Sequence, residues 1–69
     1  MSKFKIEISS VPDRENLVAE IWYGEFLVAE INQEQENLRI QLYQSNKMQF
    51  DLNDLLKTLI SAKNELCPI

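Results

Sequence analysis

LVAEIWYGEFLVAEI, residues 17–31, contains one pentapeptide twice: residues 17–21 and residues 27–31 both read LVAEI. In each copy apolar residues take every second place, Leu17, Ala19 and Ile21, then Leu27, Ala29 and Ile31. A period of two marks a strand with one buried face, because successive side chains point to opposite sides of a sheet. The echo is therefore expected to be the two arms of a hairpin, turning at Gly24, the chain's only glycine. Both arms would place Ala in the middle of the buried face and Glu on the opposite one.

The same alternation continues on either side. Phe4, Ile6 and Ile8 give a first strand, and Leu38, Ile40 and Leu42 a fourth. After Tyr43 the period changes: Leu52, Leu55, Leu56, Leu59, Ala62 and Leu66 follow helical spacing over Leu52–Leu66, with Asp51 as N-cap and Pro68 as stop. Residues that face each other across a hairpin share a sheet face, so their numbers add to a constant. The two central strands both turn odd residues inward, which requires an odd loop. Tyr23-Gly24-Glu25 meets that need, and so does a loop shifted by one residue at each arm. The outer strands turn even residues inward, which requires even loops, met by residues 9–16 and residues 33–36.

Alternation, helical spacing and loop parity together predict an α+β domain, β-β-β-β-α, an antiparallel meander in order 1-2-3-4 with one C-terminal helix on one face. Residues 1–69 are expected to form a single domain, because so short a stretch leaves no room for a second. Taken literally, these loops give three inner rows: Phe4, Ile21, Leu27, Leu42; then Ile6, Ala19, Ala29, Ile40; then Ile8, Leu17, Ile31, Leu38. The outer rows are Lys3, Trp22, Phe26, Tyr43; then Lys5, Glu20, Val28, Gln41; then Glu7, Val18, Glu30, Arg39. Lys5 would face Glu20, and Arg39 would face Glu30, each pair worth at most about 1 kcal/mol on a solvated sheet.

Charge and composition narrow the function. The chain is 45% hydrophobic and 26% charged, that of a folded globule and not of a disordered segment. Its net charge is −4, and residues 15–36 hold six glutamates with no Lys or Arg. An acidic middle repels phosphate backbones, so nucleic acid is not an expected partner. No apolar run is long enough for a membrane span and residues 1–10 lack the apolar core of a signal peptide, so a cytoplasmic product is expected. There is no histidine, and Cys67 is the only cysteine. A thiol without a base neighbour is a poor nucleophile, and one thiolate makes no metal site. Cys67 is expected to fill space at the helix end, Glu34 and Glu36 to serve solubility, and the chain not to be an enzyme or to carry a cofactor.

The aromatic row points to a contact surface. Trp22, Phe26 and Tyr43 would stand side by side on a face that the single helix does not cover, and aromatics of this kind can bury roughly 150–250 Å² each. Trp22, Phe26, Tyr43 and Val28, rimmed by Glu20 and Glu30, are the expected partner-binding residues. The partner would be a protein: a second copy in a homodimer, or a basic protein neutralised by the glutamates. The competing reading places Phe26 in the turn, or folds residues 66–69 or 48–50 over the patch. WYGEFLVAEINQE followed by FDLNDLLKTLISAKNEL resembles small bacterial domains with a four-stranded meander and a C-terminal helix, some regarded as immunity proteins of toxin systems. The resemblance implies an inhibitory role and assigns no residue a part in it.

Overall fold

The computed structural model describes residues 3–12, 14–43 and 48–67. Four strands form one antiparallel sheet, β1 (Phe4–Ser9), β2 (Val18–Tyr23), β3 (Phe26–Asn32) and β4 (Arg39–Leu42), in order β1-β2-β3-β4. A single helix, α1 (Leu52–Leu66), follows. This is the α+β meander with C-terminal helix that alternation and parity predict, and among the described residues no helix is long and apolar enough to cross a membrane. Asp51 caps α1 as expected: its carboxylate accepts from the Asp54 amide at 3.0 Å, satisfying one of the helix's unpaired N–H groups. The expected stop at Pro68 lies outside the described residues. Cys67 closes the helix, its amide donating to the Lys63 carbonyl at 2.9 Å.

The faces follow the alternation, but every register slides by two in the pair sum. Phe4 lies opposite Tyr23, not Ile21; Ala19 opposite Ile31, not Ala29; and Ala29 opposite Leu42, not Ile40. The inner rows are therefore Ile8, Ala19, Ile31, Ile40 and Ile6, Ile21, Ala29, Leu42. Ala19 and Ala29 sit diagonally instead of side by side. Parity is preserved under such a slide, which is why Phe4, Ile6, Ala19, Ile21, Ala29 and Ile31 keep the inner face.

The turn explains the slide. Tyr23 pairs with Phe26, leaving a two-residue loop, Gly24-Glu25, where three residues were expected. Gly24 has φ +60°, and no non-glycine described residue has positive φ, so the turn carries glycine alone in the left-handed region at its first central position, the II′ pattern that matches strand twist. A bulge between Ile21/Trp22 and their partners then supplies the odd residue. Past the bulge parity reverses: Leu27 joins Trp22 on the outer face, and Phe26 joins Tyr23 on the inner one.

The core lies between α1 and the inner faces of β1, β2 and β3. Ala19, Ile21, Ala29, Ile31, Ala62 and Leu66 form its buried cluster, with Phe4, Ile6, Val28, Leu38, Leu59 and Cys67 packed against it. Three alanines at 0–1% exposure let the helix approach the strands closely. Phe50, in the segment leading into α1, closes one end by stacking on Phe4 and Tyr23 with ring centroids 4.8–5.2 Å apart. Cys67 thus packs at the helix end, as expected. Leu17 does not join the core; it precedes β2 and is 50% exposed.

Candidate protein-binding site

Two surfaces must be weighed, the outer sheet face and the uncovered part of the inner one. On the outer face the sliding registers line up Glu7, Glu20 and Glu30 as direct neighbours, with Gln41 beyond. Like charges directly opposite each other repel, so the row needs compensation. Lys5 does not face Glu20, as expected from sequence; it lies opposite Trp22 and pairs with Glu7 at 3.0 Å. Arg39 lies opposite Asn32 and not opposite Glu30.

Glu30 is held instead by Arg14, from the β1–β2 connection. Arg14 Nε donates to Glu30 Oε2 at 3.0 Å and Nη2 to Gln41 Oε1 at 2.7 Å, so the guanidinium spans β3 and β4. The connection folds back over the sheet to deliver it, and Val18 on this face is fully buried. Tyr43 Oη donates to the other Glu30 oxygen at 3.5 Å, and Trp22 Nε1 donates to Glu20 Oε1 at 3.4 Å. A second layer, absent from the expectation, therefore covers part of the outer face.

A staple fixes that layer. Glu34 accepts from the backbone amides of Glu15 at 2.8 Å and Asn16 at 3.2 Å, and from the Asn16 side chain at 3.3 Å. Gln33 Nε2 adds a bond to the Leu17 carbonyl at 2.9 Å. The amide bonds, led by that of Glu15, favour the ionised form and lower the Glu34 pKa below its ordinary 4.5. Glu34 thus joins two loops and is not merely solvating. Glu36 is exposed, as expected for solubility.

The six residues expected to bind a partner do not share one open row. Phe26 goes with the inner face and is 62% exposed; Trp22, Tyr43 and Glu20 are half-buried in the polar lattice; Val28 packs against the core; Glu30 is 4% exposed. Of residues 48–50, Phe50 packs on aromatics, but on Phe4 and Tyr23.

The bare apolar surface is on the inner face. α1 packs chiefly across β1 and β2 and reaches Ala29 and Ile31 on β3, so the inner face of β4 with the adjoining edge of β3 forms a shelf beside it. Ile40 is 48% and Leu42 72% exposed. At 100° per residue Leu55, Leu59, Ala62 and Leu66 share the buried side of α1, and Leu52, Leu56 and Ile60 form a second stripe roughly a quarter-turn away. That stripe is 47–66% exposed, so Leu52 and Leu56, expected in the buried face, stand outside it. Between shelf and stripe runs an open groove of about 410 Å³, lined by Ile31, Leu38, Arg39, Ile40, Leu59, Ile60 and Lys63. The sequence signal for it was the width of the helix's apolar face, broader than one sheet contact requires.

Among the described residues no group of three or more His, Cys, Asp or Glu could hold a metal ion. Comparisons with protein-family models, with curated proteins and with solved structures give no match.

Proposed function

We propose that the chain is a non-enzymatic protein-interaction domain that binds through the aliphatic shelf of β3, β4 and α1. The observation that carries this reading is the exposure of Ile40 and Ile60, which line one open apolar groove, beside the exposed Leu42 of β4 and the exposed Leu52 and Leu56 of the same α1 stripe. Large contiguous aliphatic surface is rare on proteins that work alone.

Self-association through Trp22, Phe26 and Tyr43, and neutralisation of a basic protein such as a toxin, both lean on the outer face and its acids. There Arg14 already holds Glu30, Trp22 holds Glu20, and the two loops use Glu34. Glu25 and Glu36 remain exposed, but at opposite ends of β3. The groove offers a partner more uncommitted surface than this face does.

Paired affinity purification from the native cell, with wild type and with Leu42→Lys/Ile60→Lys as baits, tests the reading. A protein enriched by the wild type and lost from the variant is expected. Identical protein sets on both baits would overturn it.

A further inference from the structure

The width of the shelf defines what can fill it. Strands lie about 4.8 Å apart, so β3 and β4 together span about 9.6 Å beside α1. Packed helices lie 8–10 Å axis to axis, and a helix with its side chains is about 10–12 Å across. Since Ala29 and Ile31 on β3 are already buried against α1, one more helix alongside α1 would rest chiefly on β4 and against the α1 stripe. Its floor would be Ile31, Leu38 and Ile40, and its wall Leu59 and Ile60. Leu42 and Leu52 would extend floor and wall towards the start of α1.

Charge selects among helices. In a chain of net charge −4, the only charged residues lining this groove are Arg39 and Lys63, both basic. Among the described residues neither has an ion-pair partner, whereas Arg14 and Lys5 are both paired. A second copy's α1 is a poor occupant, because its own aliphatic stripe runs into Lys63 and would bring a further cation to the two already there.

Resting on the protein-binding reading above, we propose that the groove is a berth for an amphipathic helix of another protein, with an aliphatic stripe flanked by carboxylates. The stripe fills the groove between Ile40 and Ile60, and the carboxylates meet Arg39 and Lys63. Helix-in-groove recognition of this type reads anchors at i, i+3 or i+4, and i+7. Opposite charge at the rim adds selectivity more than affinity.

Fluorescence anisotropy with synthetic helical peptides tests the proposal on the intact chain. One peptide carries leucines at i, i+4, i+7 and i+11 flanked by Glu; a second replaces those Glu by Lys; a third is the first with two central prolines. The Glu peptide is expected to bind about tenfold more tightly than the Lys peptide at low salt, since two rim pairs turn from attractive to repulsive. Arg39→Glu/Lys63→Glu should reverse that order, Ile60→Ser should weaken both, and the proline peptide should not bind. Equal binding of Glu and Lys peptides, both lost with Ile60→Ser, would overturn the acidic helix while leaving the shelf as a binding surface. Binding of the proline peptide would overturn the helical occupant. Binding unaffected by Ile60→Ser, or no binding of any peptide, would overturn the berth itself. Self-association abolished by Ile60→Ser would make a second copy the occupant and overturn the proposal as well.

Discussion

Arg14 and Glu34 carry the outer layer, and each makes a separate prediction. Glu30 is nearly fully buried, so its carboxylate depends on the guanidinium that reaches it. Arg14→Ala strands that charge, and breaking a buried pair from one side is expected to cost about 2–4 kcal/mol in urea unfolding. A 69-residue domain holds only about 3–10 kcal/mol in total, so the variant should be near the edge of folding. Lys5→Ala breaks an exposed pair and should cost less than about 0.5 kcal/mol. Glu34 acts through pH. Its folded pKa lies below 4.5, so its contribution is complete above that value, where both states are ionised. As pH falls below 4.5 the unfolded chain takes up the proton first, and the contribution is lost as pH passes the folded pKa. Glu34→Gln should therefore flatten the acid limb of the stability profile. An unchanged acid limb would show that the staple between residues 15–16 and 34 carries no weight.

At the scale of elements, the turn is the most exacting feature. Gly24 at φ +60° has nothing within 4 Å of an added Cβ, so Gly24→Ala costs only backbone strain, about 1 kcal/mol. Gly24→Asn should cost less, because Asn tolerates this region better; equal losses would point to a side-chain clash instead. Asp51→Ala should remove about 1 kcal/mol by freeing the Asp54 amide. The elements themselves were legible: period two marks the strands, period 3.6 and Asp51 mark the helix, and parity fixes which side faces it. Register was not legible to the residue, because a three-residue loop and a two-residue turn plus a bulge satisfy the same parity. The Arg14–Glu30 pair was hidden for a different reason. Alternation places Glu30 outward, and nothing in a local pattern says that a loop sixteen residues upstream will return to cover it. Ile60 went unassigned because periodicity separates apolar from polar positions and does not say which apolar stripe the sheet reaches.

On the scale of the whole molecule, one helix serves a four-stranded sheet, and it sits off-centre, packed chiefly on β1 and β2. Ala62 is at 0% exposure in the same cluster as Ala19 and Ala29. A larger side chain at that point must push α1 away from β1 and β2. Ala62→Leu is expected to cost about 1–3 kcal/mol through overpacking, although it adds apolar surface. Ile60→Ser lies two residues away on the groove side, 61% exposed, and should change stability by no more than about 0.5 kcal/mol. The two variants therefore separate what the fold needs from what the groove offers. Ala62→Leu should lower the urea midpoint, and Ile60→Ser should leave it in place while weakening the binding of any helix on the shelf. If Ile60→Ser unfolds the chain as readily as Ala62→Leu does, the stripe at Leu52, Leu56 and Ile60 belongs to the core and α1 lies over the middle of the sheet.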